Sequence, residues 1–132
     1  IMALGKIKAD TLEHSTAGAL DTQYVVNGSS KAWINPNTAK TAINDSLNIS
    51  SLDDDGTGDF GLNYTTSFNT VYYIFSCGID DAGTSTAVWQ VDGTNGTYAT
   101  GSTDFESYYV TSGNNRTNYD SYCHVKLLGD LA

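Results

Sequence analysis

The sequence predicts an all-β protein, and three observations carry that prediction. From residue 31 onward apolar side chains recur with a period of two, the spacing that places them on one face of a strand. Clusters of Gly, Asn and Asp interrupt these runs near residues 53–58, 78–84, 92–96 and 112–118. Gly, Asn, Thr and Ser are abundant beside 9 Tyr, a composition suited to strands and turns and poor for helices. Short alternating strands with turn punctuation make an antiparallel β-sandwich, jelly-roll or Ig-like in type, preceded here by an extended N-terminal arm. At 132 residues the chain has the length of one domain. Such a chain buries about two-thirds of its unfolded surface, enough for a real core.

The arm is residues 1–28. Its apolar positions, Ile7, Leu12 and Leu20, are scattered, and the segment ends in VVNGSS. Too few contacts are available for a core of its own, so the arm must dock on something else; a disordered terminus is the alternative. Residues 29–132 form the sandwich. In TAINDSLNIS, Ile43, Asp45, Leu47 and Ile49 share one face. In DFGLNYT, Phe60, Leu62 and Tyr64 align. In VYYIFSC, Val71, Tyr73, Phe75 and Cys77 align, but Tyr72 and Ile74 are apolar too, so this strand is expected to be covered on both faces. In TAVWQVDG, Ala87, Trp89 and Val91 align; FESYYVTSG alternates imperfectly; in SYCHVKLLG, Cys123, Val125 and Leu127 oppose Tyr122, His124 and Lys126. No helix longer than a single turn and no internal repeat is expected.

Charge narrows the function. Fifteen acids against six bases give a net −9. A nucleic-acid binder needs a basic face to displace counterions, and an anionic membrane would repel this chain. No apolar run approaches membrane-spanning length, and no secretory signal is read at the N-terminus. The six Asn-x-Ser/Thr triplets, starting at Asn27, Asn44, Asn48, Asn63, Asn95 and Asn115, are read as chance. Cys77 and Cys123 each sit in an apolar run and read as buried free thiols; a disulfide stays open, because sequence does not show proximity.

One stretch, Asp53-Asp54-Asp55-Gly56-Thr57-Gly58-Asp59-Phe60, concentrates carboxylates. Asp53, Asp55, Thr57 and Asp59 supply oxygens at alternate positions, as a calcium loop does. The closing bidentate Glu and the flanking helices of an EF-hand are missing. Gly56 and Gly58 admit positive φ, and Asp caps turn amides, so a hairpin turn accounts for the stretch and no metal is assigned. Acid/base catalysis needs two carboxylates held in a cleft with separated pKa values, which a surface turn does not provide. His14 and His124 have no metal-ligand spacing, and His124 reads as a satisfied half-buried strand residue. There is no nucleophile elbow and no phosphate-loop lysine. The chain is therefore expected not to be an enzyme and to carry no cofactor.

Three segments together resemble a known family: VVNGSSKAWINPN, AINDSLNISSLDDDGTGDFGLNYTTSF and HVKLLGDLA. The chain is similar to small tail-fibre-like virion proteins of marine tailed bacteriophages. The matching positions are Lys31-Ala32-Trp33-Ile34-Asn35, Asp45 to Ser51, Asp55 to Phe60, and Gly129-Asp130. Residues from about 20 to 75 and the last eight carry the likeness, and 78–120 do not match. Pro36 stands where the family pattern has an aromatic residue, and Asp53 and Asp54 make the turn more acidic than the family form.

The resemblance implies a virion structural protein, a homotrimer assembled in the host cytoplasm, with no nucleic-acid or membrane partner. Its arm, through Ile7, Leu12, Leu20 and Tyr24, would fix it to other virion proteins of the tail or capsid. Trp33 and Trp89 become core or trimer-interface anchors rather than ligand platforms. The loops TNGTYATGS and TSGNNRTNYDS would meet a host-surface glycan or envelope protein, with Tyr98, Arg116 and Tyr119 as contact candidates; packing at the sandwich edge is the other reading of those tyrosines. The alternative location is the head, as a decoration or capsid-fibre protein, because the arm is short for a stalk and no heptad or collagen-like repeat builds a shaft. A free carbohydrate-binding β-sandwich, with or without calcium, is the third reading.

Overall fold

A computed structural model describes residues 8–37, 39, 41–80, 87–91, 98–110, 113 and 115–132, with the side chains of all but 14, 79, 80, 87–91, 122 and 123. The described chain is an all-β sandwich of antiparallel sheets. Its elements are β1 (Thr11–His14), β2 (Gly18–Asp21), α1 (Thr22–Gly28), β3 (Ala32–Pro36), β4 (Ile43–Leu47), β5 (Ile49–Gly56), β6 (Asp59–Tyr64), β7 (Ile74–Asp80), β8 (Ala87–Val91), β9 (Ser102–Val110), β10 (Arg116–Asn118) and β11 (Tyr122–Leu128).

One sheet has the order β4-β3-β11-β7. In the other, β5 pairs β6 and β6 pairs β9. Strand β9 uses both of its edges: Ser102–Glu106 pair β6, Phe105–Tyr109 pair β8, and Tyr108–Val110 pair β10. Phe105 and Glu106 have partners in both β6 and β8, so those strands lie on opposite edges of β9. Tyr108 and Tyr109 pair both β8 and β10, which puts β10 on the β6 edge.

The period-two pattern aims the core. Ala32, Ile34, Val125 and Leu127 face inward from one sheet, and Phe60, Leu62, Tyr64 and Phe105 from the other, all buried. Phe105 stacks on Phe60 of its neighbouring strand at 5.5 Å and meets Phe75 of the opposite sheet edge-on at 5.5 Å. This T-shaped contact joins the two sheets. The 65–73 connection also enters the core. Phe68 stacks on Tyr73 at 4.4 Å, and Tyr64 is edge-on to both. Gly129 lies against this cluster, where a Cβ would come within 2.7 Å of Tyr73 Cβ.

Buried hydroxyls need partners, and Thr103 supplies them. Its Oγ1 bonds the Tyr64 hydroxyl at 2.5 Å and also the Tyr73 hydroxyl. Tyr73 donates onward to Ala99 O at 2.9 Å. Burial, the largest cause, raises the Tyr64 phenol well above its ordinary value of 10.0. The unfolded chain thus releases this proton at lower pH than the folded chain. The associated stability is fully present below about pH 10 and falls as pH rises past it. In urea midpoints followed from roughly pH 9 to 11, Tyr64→Phe is expected to flatten this decline; an unchanged slope would exclude Tyr64 as its source.

Three expectations are corrected. Residues Ile43 to Ile49 do not share one face. Asn44 bulges out of β4, because Pro36 pairs Ile43 while Asn35 pairs Asp45. Asn48 then takes φ 59° and ends the strand, its side chain holding the Thr65–Thr66 turn through Thr66 N–H at 2.7 Å. Leu47 is left 47% exposed. The VYYIFSC run is covered on one face only: Tyr73, just before β7, is buried and Phe75 and Cys77 in β7 are partly buried, yet Tyr72 is 88% and Ile74 65% exposed. The arm, expected to be extended and without helix, contains the β1–β2 hairpin and the seven-residue α1. Helix propensity of Val25 and Val26 is poor, but Thr22 anchors the first turn, with its amide on Asp10 O at 2.8 Å and its hydroxyl on Ala9 O at 2.7 Å.

The two cysteines lie on adjacent strands, Cys77 opposite Val125 and Cys123 opposite Ile79. That is a diagonal placement, with a spacing of about 7–8 Å, longer than a disulfide spans. Cys77 is a free thiol, half-buried, and burial pushes its pKa up.

Candidate functional site

Among the described residues, two surfaces concentrate exposed apolar area. The first is the arm. No residue of α1 is buried. Leu12 and Leu20 on the hairpin, and Tyr24, Val25 and Val26 on the helix, are all exposed, Tyr24 by 61%. The hairpin and helix close a shallow pocket lined by Leu12, Val25 and Val26, yet they build no core. Ser29 and Lys31 tie the arm to the sandwich: Ser29 Oγ donates to Val26 O at 3.0 Å, Lys31 Nζ donates to the same carbonyl, and Lys31 N–H donates to Leu127 O at 2.9 Å. Ile7 lies outside the described residues.

The second surface is the outer face of the β4-β3-β11-β7 sheet. Register puts Leu47, Trp33, Lys126 and Ser76 in one row across the four strands. Leu128 and Ile74 sit beside that row, and Asp45 and Asn35 on its other flank. A groove of about 580 Å³ runs here, lined by Trp33, Asn35, Ser76, Gly78, His124 and Lys126 among others. Gly78 opens it, since a Cβ there would meet nothing within 4 Å. Trp33 is therefore not a core residue: Ala32, Ile34 and Pro36 alternate with it and take the buried side. His124 is exposed rather than half-buried. The side chain of Trp89 lies outside the described set.

The other sheet presents a different outer face. Asp53, Gly61 and Asp104 align across β5, β6 and β9, with Asp59 opposite Glu106 next to them. The acidic turn is a hairpin. Gly56 pairs Asp59 around Thr57-Gly58, with Asp55 bulged out. Asp54 Oδ1 accepts from Gly56 N–H at 3.2 Å, and Asp53 Oδ2 from Asn63 Nδ2 at 2.7 Å. Asp53 and Asp54 thus serve the backbone and a neighbouring amide. Among the described residues no three His, Cys, Asp or Glu side chains are arranged to hold a metal. Millimolar calcium is expected to leave the melting temperature unchanged; a rise of more than about 2 °C would reinstate Asp53, Asp55 and Asp59 as ligands.

The three loop candidates are held by other groups. Arg116 pairs with Glu106 and lies over the Tyr108 ring at 4.0 Å. It belongs to β10, a strand inside what reads as loop. Tyr119 is edge-on to Tyr109 at 5.8 Å, and Tyr98 to Tyr73 at 5.3 Å; both keep 38% of their surface exposed. The packed reading of these tyrosines is the one the geometry favours. Residues 94–97, 111, 112 and 114 of the two loops lie outside the described residues. No helix among those described is long and apolar enough to cross a membrane.

The outer groove was missed in the sequence. Its signal was present: Trp33 alternates with Ala32, Ile34 and Pro36, and in β11 the polar His124 and Lys126 alternate with Val125 and Leu127. Only the pairing of β11 with β3 on one edge and β7 on the other puts these residues side by side. Comparison with protein families, with known proteins and with solved structures finds no match to this chain.

Proposed function

We propose that this chain is a non-catalytic virion structural protein of a tailed bacteriophage, a trimeric tail-fibre-like module on the particle surface that contacts the host. The observation that carries the reading is the arm, which exposes Leu12, Leu20, Tyr24, Val25 and Val26 and has no core beneath them among the described residues. Contiguous apolar surface of this kind marks an interaction site, and the other virion proteins or a second copy of the chain would cover it. The resemblance of KAWIN, DSLNISS, DGTGDF and the terminal Gly-Asp supplies the virion context.

A second reading is favoured by one feature. The described arm is a compact hairpin and helix rather than a shaft, which suits a head decoration protein seated directly on the shell. Electron microscopy of purified particles, with gold-tagged antibody to this chain, tests both. Label at the tail supports the adsorption module, label over the head supports decoration, and particles without label overturn both.

A further inference from the structure

The outer groove of the β4-β3-β11-β7 sheet has the build of a small-ligand site, and we infer that it binds a saccharide. Four observations carry this. Its volume, about 580 Å³, lies in the range of sites that take small molecules. Trp33 stands out of the core on this face, and an indole offers a flat apolar surface to the C–H face of a pyranose ring while its N–H stays free to donate. Asn35 lines the same groove, and its Oδ1 is buried without a hydrogen-bond partner among the described residues. A buried acceptor left unsatisfied is costly, and a small rotation of the Asn35 amide toward the groove would let a ligand hydroxyl supply the missing donor. Ser76, His124 and Lys126 surround the same space with further polar groups.

The ligand class follows from this set. A purely apolar ligand would leave Asn35 Oδ1 unpaired. A polyanion would find one lysine among the described residues that line the groove, Lys126, on a chain of net charge −9. A saccharide uses both the aromatic face and the scattered neutral hydrogen-bonding groups. On the surface-display reading it would be a host-surface glycan, but the groove itself does not depend on that reading. Purified protein tests the groove, whereas particle labelling tests the location, so either can fail alone.

The test is a titration of the full-length protein with methyl pyranosides of glucose, galactose, mannose and N-acetylglucosamine, and with linear oligosaccharides of the same sugars. Binding is read from the Trp33 indole N–H resonance, assigned with Trp33→Phe, and by calorimetry. A saturable shift is expected, with a Kd of about 1 mM or weaker for one ring and tighter for oligomers. Trp33→Ala is expected to weaken binding by at least about tenfold. Gly78→Leu, which fills open space without strain, is expected to abolish it while the fold persists. No shift with any sugar overturns the proposal, as does binding that survives both substitutions. If Gly78→Leu instead abolishes a concentration-dependent self-association and no sugar binds, the groove is an interface between copies, and the saccharide reading is overturned.

Discussion

Gly58→Ala is expected to destabilise the protein by about 3–5 kcal/mol, among the largest effects any single methyl group has here. Gly58 has φ +73°, and its added Cβ would stand 2.3 Å from Ser107 O and 2.7 Å from Tyr119 N. Both neighbours are backbone, so no side chain can move aside. The close approach exists because three strands meet at this point. Ser107 N–H donates to Gly58 O at 2.6 Å, Gly58 N–H donates to Asp120 Oδ1 at 2.8 Å, and Tyr119 N–H donates to Ser107 O at 3.1 Å. A methyl group would strain the backbone by about 1–2 kcal/mol and break bonds worth about 1–3 kcal/mol each once their partners are left buried. Gly56→Ala is the control. Gly56 has φ +131° but nothing within 4 Å of its Cβ position, so only the strain component applies. Urea denaturation of the two variants measures the difference. Equal losses would mean that Gly58 serves the turn alone and that the β6–β9–β10 junction is not tightly closed.

Phe105→Ala is expected to cost about 3–5 kcal/mol, the range for truncating a buried aromatic residue, whereas Trp33→Ala is expected to cost less than about 1 kcal/mol. Phe105 is fully buried and touches Phe60 within its sheet and Phe75 across the sandwich. Its removal leaves a cavity at the place where the sheets hold together. Trp33, although larger, faces outward on β3, and its loss uncovers a groove that is already open. Melting temperatures should separate the variants by roughly 10 °C. A Trp33→Ala loss as large as that of Phe105→Ala would return Trp33 to the core and with it remove the platform from the proposed saccharide site.

Much of the sandwich was legible because alternation is a local property. Phe60, Leu62 and Tyr64 read as one face and are one face, as do Val125 and Leu127 against His124 and Lys126. The acidic turn was legible for a related reason: Gly56, Gly58 and their flanking Asp residues carry their own conformational preferences. Alternation does not say where it is interrupted. The Asn44 bulge and the left-handed Asn48 shift the faces of β4, and both depend on partners, Pro36 for one and the Thr65–Thr66 turn for the other. Nor does it say which side of a doubly apolar strand is covered. VYYIFSC reads as buried on both faces, and the structure covers only the Tyr73 side. The α1 helix escaped notice because Thr22 is held by Ala9 O and Asp10 O, contacts that exist only once the hairpin has formed.

The sequence by itself determined the strand class of this protein, the acidic turn and most of the residues that face the core, since period two and glycine torsions are set within a few neighbours. Tertiary structure alone decided the order of strands, the outward placement of Trp33, the capture of Arg116 by Glu106, and the meeting of Trp33, Asn35, Ser76 and Lys126 in one groove. Those residues come from three strands spread along the chain. Their proximity is a consequence of register, and register is settled by burying Ala32, Ile34, Val125 and Leu127 together.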